Sequence, residues 1–118
     1  MDPTVLRILQ LCRTLRCQTA QEKVLQDALE PLLRAEFQDV EREARLSQAD
    51  VLDFLVAGRI VVEVKMDQSP MTVTRQLRRY AEHPKVTHIV LVTTRAKHRS
   101  VPLELAGKPV FVAWLQPM

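Results

Sequence analysis

The hydrophobic and polar positions change period several times along the chain, and each change marks an element. Val5, Leu6, Ile8, Leu9 and Leu11 give a broad apolar side to a short helix over Pro3 to about Leu15. Thr19-Ala20-Gln21-Glu22 has the form of a capping box, in which the Thr19 hydroxyl accepts from the backbone N–H three residues on while Glu22 reaches back. Leu25, Leu29 and Leu32 follow at helical spacing and predict a second helix over about Ala20 to Ala35. Asp39 to Leu46 then alternates charge with Val40, Ala44 and Leu46, the pattern of an exposed or edge strand. Val51–Val56 and Ile60–Met66 are nearly all apolar and read as strands covered on both faces, with Ala57-Gly58-Arg59 as the turn between them. Ser69-Pro70 supplies an N-cap and a first-turn proline for a helix running to about Glu82, before Pro84. Thr87–Thr94 and Pro109–Leu115 are the last strands, with a basic loop between them. The order ααβββαββ predicts an α/β fold, a single compact domain over residues 1–118 with a mixed sheet flanked by helices.

Composition adds limits. Aromatic residues are only 4% of the 118, so the core is aliphatic and a base-stacking surface built on several aromatics is disfavoured. The net charge of +3 does not by itself identify a nucleic-acid binder, but its distribution is uneven. Arg75, Arg78, Arg79, His83 and Lys85 form one basic cluster, and Arg95, Lys97, His98 and Arg99 a second. Cys12 and Cys17 lack the CxxC spacing of redox and zinc sites and read as reduced thiols. No run reaches the length of a membrane span and no secretory signal is visible, so the expected compartment is the cytoplasm.

The informative stretch is Asp53 to Lys65, where two strongly apolar strands carry three ionisable residues. Charges are costly in a covered sheet unless they are paired or bind a metal. With Ala57-Gly58-Arg59 as a three-residue loop, Val56 faces Ile60, Leu55 faces Val61, Phe54 faces Val62 and Asp53 faces Glu63. Lys65 is two residues beyond Glu63 and points to the same face. Two adjacent carboxylates repel, so either one takes a proton or a cation sits between them. Mg²⁺ and similar hard cations commonly use one or two carboxylates with water and phosphate, which suits metal-assisted phosphodiester hydrolysis. The competing account is a cross-strand Asp-Lys-Glu ion cluster at a sheet edge.

Asp53 followed by Glu63-Val64-Lys65 resembles the signature of the PD-(D/E)xK nuclease superfamily, in which an Asp and then Glu-x-Lys occupy adjacent strands. Gln76-Leu77-Arg78-Arg79-Tyr80 is similar to the QxxxY motif on the following helix of its RecB-like members. The resemblance extends from about Glu22 to Thr94 and departs at Leu52, where the family pattern has proline. It implies a restriction-endonuclease-like core and an enzyme, a metal-dependent nuclease. Asp53 and Glu63 would ligate Mg²⁺ or Mn²⁺ with the Val64 carbonyl. Lys65 would position the water and stabilise charge on the phosphate. Gln76 and Tyr80, on one helix face, would orient the lysine and contact the DNA backbone. Glu22 continues the leucine stripe of its helix and is either a further acidic residue of the metal site or only a cap.

The other ionisable residues have plainer readings. Asp50 and Asp67 are possible replacement ligands, although Asp50 lies on the side of its strand opposite Asp53 and Asp67, on the Glu63–Lys65 face, falls past the strand end; His83, His88 and His98 read as loop or surface residues. Arg75, Arg78, Arg79, Arg95, Lys97 and Arg99 are the expected backbone contacts of a DNA partner, whether duplex, branched or single-stranded. Such a small nuclease fits a phage, a mobile element or a repair pathway. The alternatives are a non-catalytic nucleic-acid-binding module that keeps the fold, and a homo-oligomeric subunit assembled through the apolar N-terminal helix.

Overall fold

In the computed structural model, which describes residues 1–16 and 21–115, Asp2 opens helix α1 (Pro3–Thr14) by accepting from the N–H groups of Thr4 and Val5. Its other oxygen holds Arg59 at 2.9 Å, tying the helix start to the Ala57-Gly58-Arg59 turn. The expected cap at Thr19 and the thiol of Cys17 lie outside the described residues. Helix α2 covers Glu22–Glu36 and α3 covers Pro70–Ala81, the latter capped by the Ser69 hydroxyl. The strands are β1 (Val40–Arg45), β2 (Val51–Val56), β3 (Ile60–Val64), β4 (His88–Thr93), β5 (Glu104–Leu105) and β6 (Lys108–Trp114). The segment expected as a basic loop holds the two-residue β5 and a 3₁₀ turn, Ala96–Ser100.

The six strands lie in the order β1-β2-β3-β4-β6-β5. β1, β2 and β3 pair antiparallel, while β3, β4 and β6 run parallel. The sheet is therefore mixed, β1 is an edge strand, and α3 makes the crossover between β3 and β4. Helices α1 and α2 cover one face, burying Val5, Ile8, Leu25, Leu29 and Leu33 against Phe54, Val62, Val64 and Val90. Helix α3 covers the other with Val73, Leu77 and Tyr80 against Leu55, Val61 and Ile89. Leu32, expected in the seam of α2, is only half-buried, and Leu33 takes the inward position. His98 also corrects the sequence reading, being fully buried rather than at the surface.

The β2–β3 hairpin closes through Ala57 (φ 55°) and Gly58 (φ 68°), two successive left-handed residues whose twist suits a tight hairpin. An added Cβ on Gly58 would meet only Asp39 Oδ2 at 3.6 Å, so backbone conformation rather than space favours glycine there. The expected pairs Val56–Ile60, Leu55–Val61 and Phe54–Val62 are all present. Farther from the turn the alternation of faces breaks. Phe54 belongs to the α1/α2 side, but Leu52, two residues away, packs on the α3 side. On β1 the same change separates Val40 from Ala44, with Glu43 at φ 54° between them. Asp53 sits at this break.

Candidate active site

At Asp53 and Glu63 the two strands exchange side-chain-to-backbone hydrogen bonds. The Asp53 N–H donates to Glu63 Oε1 at 2.9 Å, and the Val64 N–H donates to Asp53 Oδ2 at 2.7 Å. Each carboxylate thus takes a backbone donor from the opposite strand, which holds the two acids together where the hairpin opens. Glu63 is only 1% exposed and Lys65 only 6%. Lys65 Nζ stands 3.4 Å from Glu63 Oε2, and the Lys65 N–H donates to the Val92 carbonyl, so β3 remains pinned to β4 beyond its last ladder residue.

Helix α3 supplies a further layer. The Gln76 amide donates to the Tyr80 hydroxyl at 2.7 Å, and that hydroxyl lies 3.3 Å from the Val51 carbonyl and 3.5 Å from Glu63 Oε2. Glu22, in the first turn of α2, accepts from the Met66 N–H at 3.1 Å. It holds the chain leaving β3 from the opposite side of the sheet. Asp53, Glu63, Lys65, Gln76, Tyr80 and Glu22 are thereby gathered around one end of β3. Among the described residues no three His, Cys, Asp or Glu side chains converge as a ready metal cage, and Glu22 is engaged with the backbone.

Burial pushes the Glu63 carboxyl up to about 7, reinforced by the neighbouring Asp53 charge and opposed by Lys65. Burial also raises Asp53, against the Val64 N–H, while the Glu22 charge adds to the rise. The Tyr80 hydroxyl is raised as well, by burial and by the charge of Glu63. Adjacent acids whose protons are held more tightly than usual are relieved by a cation. Asp53 Oδ1 takes no hydrogen bond from the described residues. Two carboxylates and a main-chain carbonyl fit Mg²⁺ or Mn²⁺, which complete their shells with water and phosphate.

These shifts make stability depend on pH. Between about pH 4.5 and 7 the folded protein keeps a proton on Glu63 that the unfolded chain has released. Unfolding free energy in the absence of divalent cations should therefore fall as pH rises through that window. Asp50, lowered because His83 and Arg79 outweigh the cost of burial, acts in the other direction and only toward acid pH. Urea unfolding at successive pH values checks this, and Glu63→Gln should flatten the slope; a slope unchanged by Glu63→Gln would place the titration elsewhere.

No protein-family model, curated protein or solved structure matches the chain. The likeness to PD-(D/E)xK nucleases rests on the motif residues themselves.

The basic residues are dispersed. Arg75 and Arg78 are exposed on α3 with no carboxylate partner among the described residues. Arg79 instead pairs with buried Asp50 at 3.2 Å, a carboxylate that also meets His83 Nε2 at 3.2 Å. Arg95 stands 3.6 Å from Asp67, and Lys97 donates to the Asp67 carbonyl at 2.9 Å. Arg99 lies over the Trp114 ring, 4.5 Å from its centroid, on the far side of β4 from Glu63. His88, half-buried at the start of β4, takes no part in the site.

Sequence reasoning missed one clasp beside the site. His98 Nε2 donates to the Gln68 carbonyl at 2.7 Å, and its Nδ1 lies 2.8 Å from the Thr93 hydroxyl. A carbonyl only accepts, which assigns the proton to Nε2 and leaves Nδ1 to accept from Thr93. The clasp fixes the Gln68–Ser69 entry into α3 against the end of β4. A histidine in a basic run carries no sequence signal for such a partner.

Proposed function

We propose that the protein is a small metal-dependent nuclease that hydrolyses phosphodiester bonds of DNA. The observation that carries this reading is the pair of half-buried Asp53 and buried Glu63, with Lys65 beside it, at the opened end of an apolar hairpin. Asp53, Glu63 and the Val64 carbonyl would hold Mg²⁺ or Mn²⁺, which supplies positive charge against the phosphate and lowers the pKa of bound water. Lys65 donates toward the attacking water or a phosphate oxygen as the bond from water oxygen to phosphorus forms and the bond to the leaving oxygen breaks. Gln76 and Tyr80 position this end of the site: Tyr80 spans Val51 and Glu63 and keeps β2 and β3 at their observed separation.

The chain's exposed cations suit backbone contact. Arg75 and Arg78, unpaired and on the helix that follows the motif strands, would meet phosphates, with Arg95 and Lys97 at the loop after β4. Each lost phosphate contact should lower the salt slope of log K on duplex DNA by about 0.9. Binding of the cleavage-impaired Lys65→Ala protein to DNA across salt in EDTA, alone and with Arg75→Ala or Arg78→Ala added, checks this. Unchanged affinity and slope in both would place DNA on another surface.

A second reading has its own observation. Both acids already accept backbone N–H groups and Lys65 balances one of them, as a structural ion cluster in a non-catalytic binding module would require. The deciding experiment offers linear, single-stranded and branched DNA, and RNA, with Mg²⁺, Mn²⁺ or EDTA. Cleavage that needs the cation and is lost in Asp53→Ala supports the nuclease. Intact substrates throughout, with salt-dependent DNA binding, support the module.

A further inference from the structure

A second surface lies at the other side of the sheet. β6 pairs with β4 from Val110 to Trp114, but its outer edge meets only β5 at Lys108 and Pro109, and Leu103, whose carbonyl accepts from the Val110 N–H. The Leu115 N–H points inward, to the Thr93 carbonyl. Strand alternation between these two residues turns the N–H and C=O groups of Val112 and Trp114 outward, and no described strand pairs with them. A cavity of about 560 Å³ runs along this edge. Residues 109–115 line it, so residues of both alternating sets along the strand border the cavity. Leu9, Cys12 and Arg13 line it from α1, and Arg99, over the Trp114 ring, and Leu103 line it as well.

Three features call for a ligand of particular chemistry. The open backbone edge requires an extended chain. The Trp114 Nε1 is buried without a hydrogen-bond partner. Arg13 and Arg99 both line the cavity, and neither guanidinium has a carboxylate partner among the described residues. Long apolar edges are normally blunted by charge, proline or a covering element. Here Lys108 and Pro109 protect only the start, and Phe111 to Trp114 stay open beneath exposed Leu103.

We propose that this groove binds an extended, apolar peptide segment of a partner protein that carries carboxylates near its ends, added to β6 as a further strand. Main-chain bonds to Val112 and Trp114 give affinity, and Arg13 and Arg99 select the acidic residues. A second copy of this chain is a poorer fit, because its own β6 edge is flanked by α1 and by Arg99 and Leu103.

Trp114 is the chain's single tryptophan, so its fluorescence reads the groove directly. The probe is the peptide acetyl-Glu-Val-Thr-Val-Asp-amide, compared with the same peptide carrying lysine at both acidic positions. The acidic peptide should give a saturable change below about 1 mM, and the lysine peptide should bind at least about tenfold more weakly. Val112→Pro removes an outward N–H and should abolish binding; Pro is tolerated on an edge strand. Arg13→Glu with Arg99→Glu should invert the peptide preference and needs no backbone change. No saturable signal, equal binding of the two peptides, or unchanged binding by folded Val112→Pro overturns the proposal. Sedimentation of a dimer that Val112→Pro dissociates also overturns it, by assigning the edge to a second copy.

Discussion

Lys65→Ala is expected to reduce single-turnover DNA cleavage by about 10²- to 10³-fold, the scale for losing one preorganised contact to a developing charge, while keeping the Mn²⁺-induced rise in Tm. An ammonium approaches water or phosphate but cannot ligate a cation, so its loss separates chemistry from metal binding. Lys65 is nearly buried and lies 3.4 Å from Glu63, so its removal also deletes a positive charge that competes with the cation. The Mn²⁺ shift should therefore be preserved or enlarged. An ion cluster behaves differently: Lys65→Ala would leave buried Glu63 and the adjacent, half-buried Asp53 unneutralised, lower stability without metal and change no activity. Single-turnover rates beside thermal shifts decide between them. Wild-type cleavage by a folded Lys65→Ala protein would remove the lysine from the mechanism.

Asp53→Ala and Glu63→Ala should lose both cleavage and the response to Mn²⁺. At a hundredfold excess over Kd, a cation bound only by the folded chain stabilises it by about 2.7 kcal/mol, a Tm rise on the order of 10 °C for a domain of this size. Because burial and Asp53 push Glu63 up to about 7, the cation must displace a proton from it below that pH. The wild-type shift should therefore grow between pH 6 and 8, and Asp53→Ala should show none at either pH. Equal shifts in wild type and Asp53→Ala would place the cation elsewhere. Removing either acid also frees the backbone N–H that it accepts, at Val64 or at Asp53, so some stability is lost without metal. Asp53→Asn and Glu63→Gln keep a hydrogen-bond acceptor and control for that loss.

Where the local pattern is strong, the chain alone determined the result. Helix α3 was legible because Ser69 caps it, Pro70 fits its first turn and Val73, Leu77 and Tyr80 share one face. β2 and the hairpin register were legible because two short apolar runs flank a three-residue turn, which leaves one pairing. That register placed Asp53 beside Glu63, and the apolar flanks showed that their charges needed a reason. Only the tertiary structure decided how the acids meet: the change of faces at Asp53 and Glu43 lets carboxylates take N–H groups that a regular ladder would have paired. It also decided that Glu22 holds Met66, that Arg79 is bound to Asp50 and that His98 is buried as a clasp. Each of these joins residues 29 to 44 positions apart. Such contacts depend on how elements stack rather than on any local period, and a chain read position by position carries no record of them. The open edge of β6 is of the same kind: its alternation announces a strand, but whether a neighbour covers it is settled by where the rest of the chain goes.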